Sequence, residues 1–114
     1  MKTSSGKAKG RRLQNKIRDL LLEHFSDKLE PDDIKVAIMG ESGEDIKLSP
    51  AARKLIPYSF ECKNQESVNI WKAYEQAEEN SGDYEPIVVL KRNKTKPLVL
   101  IDADYFVKLH DKFD

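Results

Sequence analysis

Tyr58-Ser59-Phe60-Glu61-Cys62-Lys63-Asn64-Gln65 is the stretch on which the reading of the fold turns. Pro57 ends whatever precedes it, and the aromatic and mixed residues that follow predict a strand. On a strand, Glu61 and Lys63 share one face and Cys62 takes the other. A free cysteine is commonly a small buried hydrophobe, so Cys62 marks the face that meets the core. A second short strand comes before it, Asp45-Ile46-Lys47-Leu48, opened by the turn Gly40-Glu41-Ser42-Gly43. Glu44 would point to the opposite face from Asp45. Asp45 is therefore the acid expected to meet Glu61 and Lys63.

Working outward, Leu13, Ile17, Leu20, Leu21 and Phe25 recur at helical spacing and predict an amphipathic helix from about Gly10 to Phe25. Pro31-Asp32-Asp33 breaks the chain, and the β-branched alternation of residues 34–38 predicts a strand. Ser49-Pro50-Ala51-Ala52-Arg53-Lys54 has the form of a capped helical turn with proline at its first position. A second helix is expected from Gln65 or Glu66 to Asn80, with Val68, Ile70, Trp71, Tyr74 and Ala77 on its apolar side. Trp71 is read as core. Residues 87–90 and 98–101 predict two apolar strands joined by the basic loop Lys91 to Lys96. Asp102 caps a last helix through Tyr105, Phe106 and Leu109. The class is α/β, in the order αβββαββα, with a central mixed sheet of about five strands flanked by helices.

The chain has 114 residues, of which 39% are hydrophobic and 35% charged; that suits one soluble domain with a modest core. The formal net charge is +0, with 20 basic and 20 acidic residues, so only the distribution of charge speaks about partners. Every charge from Met1 to Arg18 is basic, and a local basic field can hold nucleic acid whatever the total. Residues 1–9 are expected to be a flexible basic arm, and residues 10–114 the single domain. With Cys62 alone no internal disulfide can form, which suits a reducing cytoplasm. No apolar run is long enough to span a membrane, and none follows the basic N-terminus as in a secretory signal. His24 and His110 have no ligand spacing, and there is no zinc motif, P-loop, dinucleotide fingerprint or other cofactor-binding motif.

Two carboxylates and an ammonium at neighbouring strand ends can hold a divalent metal and stabilise charge on a phosphate. Mg²⁺ or Mn²⁺ takes oxygen ligands. Asp45 and Glu61 would provide two, and the backbone carbonyl of Cys62 a third. Such a metal would polarise a phosphate and activate water. Lys63 would orient that water or stabilise the charge that develops. Gln65, two residues on, could extend the site toward substrate. Lys9, Arg11, Arg12, Lys16 and Arg18 are candidates for holding a nucleic-acid backbone, and Arg53 with Lys54 could clamp a phosphate.

Asp45 followed by Glu61-Cys62-Lys63, after one helix and before another, resembles the PD-(D/E)XK nuclease superfamily. The likeness runs from about Gly10 to Leu109. The small size and basic leading helix are most similar to small phage-encoded nucleases and archaeal-type Holliday junction resolvases. The resemblance implies a restriction-endonuclease-like core and a metal-dependent DNA endonuclease acting on a Holliday junction or other branched DNA. It also implies a homodimer with two sites. Asp45 and Glu61 match the metal-binding acids, and Lys63 the catalytic lysine. In the resolvases a helix-borne Glu completes the site; Gln14 stands at the position that aligns with it. Other readings are a nicking, flap or DNA-end nuclease of phage replication or host-DNA degradation, a catalytically inactive DNA-binding module of the same fold, and a non-enzymatic interaction domain whose basic arm binds a protein.

Overall fold

The computed structural model describes residues 2–38 and 40–113; Met1 of the expected arm and Asp114 at the end of the expected domain lie outside them. Helix α1, Lys2–His24, presents Leu13 and Ile17 to the core from one stripe. It starts well before Gly10. Residues 2–9, expected to be a flexible arm, continue the same helix. Lys7, Ala8 and Lys9 are good helix formers and carry the helix on from Gly10 toward the N-terminus. The Asn64 side chain donates to the Lys9 carbonyl at 3.1 Å, tying the helix to the strand beneath. Leu20, expected on the apolar stripe, is exposed.

A 3₁₀ turn at Pro31–Asp33 leads into β1, Ile34–Val36, which pairs antiparallel with β2, Ile46–Leu48, matching Ile34 to Leu48. The turn between them bends through Gly40 and Gly43, both with positive φ (86° and 94°). A Cβ at Gly43 would lie 3.1 Å from the Lys47 ammonium, so the side-chain-free residue also leaves room for Lys47. Helix α2, Pro50–Leu55, begins as expected, with Ser49 Oγ accepting from Ala52 N–H at 3.1 Å. The same hydroxyl donates to Asp33 at 2.6 Å, joining α2 to the turn before β1.

Strand β3, Tyr58–Asn64, lies parallel to β4, Glu85–Lys91, and β4 lies antiparallel to β5, Leu98–Leu100. The expected single sheet of about five strands is divided into a pair, β1-β2, and a mixed three-stranded sheet, β3-β4-β5. The division falls between β2 and β3. There Asp45 N–H donates to the Phe60 carbonyl at 2.9 Å, and the next bond is taken by a side chain: Asp45 Oδ2 accepts from Cys62 N–H at 2.7 Å. A carboxylate thus stands where a β2 carbonyl would continue the ladder.

Side-chain alternation along β3 and β4 builds two cores. Phe60, Cys62, Ile87 and Val89 meet Leu13 and Ile17 of α1, with Ile34, Ile46 and Ile56. Val88 meets Ala73 and Ala77 of α3, Ile70–Glu79, on the other face. Cys62 is buried as its reading required. Helix α3 begins later than Gln65 or Glu66. Gln65 N–H is still bonded to Lys91 O at 3.0 Å, and Asn69 supplies the cap by accepting from Lys72 N–H at 3.1 Å. Trp71, expected in the core, is 78% exposed. Ala73 and Ala77 set the inward face, and Trp71 lies roughly 200° around the helix from Ala73. Helix α4, Ala103–Leu109, is capped by Asp102 as expected, with Phe106 exposed.

The packing predicts contrasting costs. Leu13, 1% exposed, should lose about 2–5 kcal/mol of stability on Leu13→Ala, whereas Trp71→Ala should stay within about 0.5 kcal/mol of wild type. Urea unfolding of both variants checks this.

Candidate active site at the fork between the sheets

Divergence of β2 from β3 opens a fork, and Asp45 sits in it. In an extended strand the N–H and C=O of one residue point to the same edge. Cys62 N–H meets Asp45, so the Cys62 carbonyl is turned toward the fork as well. Glu61 is 5% exposed, on the face of β3 opposite Cys62. Its Oε2 is 3.5 Å from the Lys63 ammonium, while its Oε1 is buried and has no hydrogen-bond partner among the described residues.

Burial pushes the Asp45 carboxyl above its ordinary range. The Cys62 N–H, the Lys63 and Lys47 charges and a hydrogen bond from Gln14 pull it back down. Burial also raises Glu61, the negative charge of Asp45 raises it further, and Lys63 and Asn80 oppose the rise. These two acids therefore feel one another's charge. The Cys62 thiol is raised strongly by burial and by both acids, which keeps it protonated and unreactive.

Asp45, Glu61, Lys63 and Gln14 are thus brought together as the sequence predicts. Gln14 reaches the fork from α1, where it lines a cleft of about 250 Å³ with Lys7, Gly10, Arg11, Glu41 and Asp45. Gln65 is exposed and belongs to a neighbouring hollow with Lys63, Lys72 and Gln76. Among the described residues no three His, Cys, Asp or Glu side chains gather as a metal-binding group. The fork offers two carboxylates, a strand carbonyl and an amide. That donor set fits a hard divalent cation that keeps part of its water shell, and the unpartnered Glu61 oxygen is a place for one to act.

The cations expected to hold a nucleic-acid backbone are distributed unevenly. Arg11 lines the cleft. Lys9 stands on the preceding turn, its carbonyl bonded by Asn64. Arg12 and Lys16 line a separate shallow hollow on α1. Arg18 is paired with Asp19 at 2.9 Å. Lys54 is exposed beside α2's end. Arg53 is no phosphate clamp: it pairs with Glu44, donates to the Tyr58 carbonyl at 2.8 Å, and lies 4.2 Å over the Tyr84 ring. Glu44 is thereby held away from Asp45, as expected from its facing.

Sequence reasoning missed Lys7, Lys47 and Asn80. Lys47 follows Asp45 by two on a strand, so period-two facing could have found it. Its ammonium donates to Ser42 O at 2.9 Å. Lys7 lies one helical turn and a fraction before Arg11 and was hidden by reading residues 1–9 as an arm. Asn80 comes from the far end of α3, and no local pattern announces it.

No protein-family model matches the chain, and neither a curated protein nor a solved structure is detectably similar to it.

Two expectations follow. Raised acids favour the protonated form in the folded state, so their contribution to stability is present below about pH 4 and is lost as pH rises through the raised values. Asp45→Asn and Glu61→Gln should therefore melt higher than wild type in EDTA at neutral pH, with the gap closing toward pH 4. Mn²⁺ should raise the wild-type Tm increasingly with pH and leave Asp45→Asn unmoved; thermal melts across pH test both. Separately, Arg53→Ala should cost about 2–3 kcal/mol in urea unfolding.

Proposed function

We propose that this chain is a metal-dependent DNA endonuclease of the PD-(D/E)XK type that hydrolyses phosphodiesters in branched DNA. The observation that carries the reading is the meeting of Asp45, Glu61 and Lys63 at the fork, with a buried Glu61 oxygen left without a donor among the described residues. The order of elements, with β3-β4 parallel and β4-β5 antiparallel, supports a restriction-endonuclease-like core. Asp45, Glu61 and the Cys62 carbonyl would hold Mg²⁺ or Mn²⁺. That ion supplies Lewis acidity to a phosphate oxygen and acidity to a water.

The chain's own groups do the rest. Lys63 places positive charge where the phosphate gains negative charge, and its contact with Glu61 fixes the ammonium. Gln14 lines the cleft beside Asp45 and holds down the pKa of its carboxyl. Lys7 and Arg11 flank the cleft and bind the backbone through charge. Water adds to phosphorus and one ester P–O bond breaks; one water proton reaches the leaving oxygen and the other is lost to solvent. A homodimer would present two such forks to a four-way junction. The single cysteine suits a reducing cytoplasm.

A binding module of the same fold is the second reading. Gln14, an amide at the position matching an acid in the resolvases, favours it. The deciding assay uses a labelled immobile four-way junction and a matched duplex, each with Mg²⁺, Mn²⁺ or EDTA. Wild type should nick the junction symmetrically, and Lys63→Ala and Asp45→Asn should each lose about 100-fold or more. Cleavage of both substrates would remove the junction preference and leave a nicking, flap or end nuclease. Tight junction binding by folded wild type with no cleavage under any metal would establish the binding module.

A further inference from the structure

The connection from β3 to α3 and the hairpin between β4 and β5 enclose a second hollow, of about 320 Å³. Its floor is apolar, formed by Val68, Ile70, Leu90 and Leu98, and its rim carries Lys91, Arg92 and Lys96. Two bonds hold its walls together. Gln65 N–H donates to Lys91 O at 3.0 Å, and Asn93 N–H donates to the Glu66 carboxylate. The acid in the lining is thus engaged by the hairpin backbone, and the cations set the sign of the rim.

Trp71 follows Ile70 directly and is 78% exposed; Ile70 and Leu98 are exposed too. The first turn of α3 has no acid, and Lys72 lines the neighbouring hollow. An exposed indole one helix position on from Ile70 offers flat stacking surface, and the cationic rim of the hollow offers sites for phosphate. Unpaired nucleic acid matches both, because its bases expose their faces and its backbone is charged at every residue. A duplex buries its base faces in its own stack and could use only the rim. Gln65 and Val68 line both this hollow and the smaller one that holds Lys63, so the two are neighbours.

We propose that this hollow binds an unpaired stretch of DNA next to the fork, with bases against Trp71, Ile70 and Leu98 and phosphates against Lys91, Arg92 and Lys96. The proposal rests on the nucleic-acid part of the functional reading and names the feature of the substrate: a branch with a single-stranded segment. Its success does not require that the fork cleave.

The test uses intrinsic fluorescence, since the chain contains 1 tryptophan. Full-length Asp45→Asn protein in EDTA is titrated with oligothymidylate and, separately, with a matched blunt duplex. The single strand should quench Trp71 emission saturably and in a salt-sensitive way, and the duplex should quench it little. By anisotropy of a labelled single strand, Trp71→Ala should weaken binding about tenfold or more, and Arg92→Ala with Lys96→Ala should flatten its salt dependence. Circular dichroism verifies that each variant is folded. Unchanged emission at saturating oligonucleotide, wild-type affinity in Trp71→Ala, or equal quenching by duplex would overturn the proposal. A blue shift that grows with protein concentration without DNA would instead assign the patch to a second copy. Quenching by a protein that never cleaves would sink the nuclease and keep this site; cleavage without quenching would do the reverse.

Discussion

The bond from Cys62 N–H to the Asp45 carboxylate is the joint on which this molecule depends. A backbone donor at the edge of β3 must find an acceptor, and it finds a side chain in place of the next strand's carbonyl. That substitution has two effects. It ends regular pairing between β2 and β3, so the strands part. It also fixes an acid at the point of parting, within reach of Glu61, Lys63 and the helix above. The same interaction therefore shapes the sheet and positions the chemistry.

Energetically the fork is a strained neighbourhood for charge. Two carboxylates are drawn out of water and only partly compensated, by one backbone amide, the side-chain amides of Gln14 and Asn80 and nearby ammonium groups. Such an arrangement opposes folding in its ionised form and favours any cation that can enter. Two acids that hold the fold together behave otherwise. Asp33 accepts from Ser49 and Glu30 N–H and is lowered, and Glu44 has its guanidinium partner. The contrast separates a group that serves the fold from one that the fold holds at a cost.

Much of this was legible in sequence because it depends on short-range rules. Period-two facing placed Cys62 in the core and Glu61 beside Lys63. Ser49, Asp102 and the proline after Ser49 announced their helices through cap chemistry. Where the rules operate over longer distances they failed. The start of α3 depends on Gln65 continuing to pair with β4, and the exposure of Trp71 depends on alanines that let α3 approach Val88 closely. Arg53 reads as a surface cation until Glu44, Tyr58 and Tyr84 converge on it from three other segments. The break in the sheet was invisible for the same reason: it is one hydrogen bond between residues distant in the chain.

Cys62 has its amide at the edge of β3, in the fork, and its thiol on the face under α1. The side chain is shielded by Leu13 and Ile17, and its sulfur is kept in the inert form. A lifting of α1 from the sheet would open it to a thiol reagent, and that lifting would also carry Gln14 away from Asp45. The sulfur thus reports from inside the core on the same helix that roofs the fork.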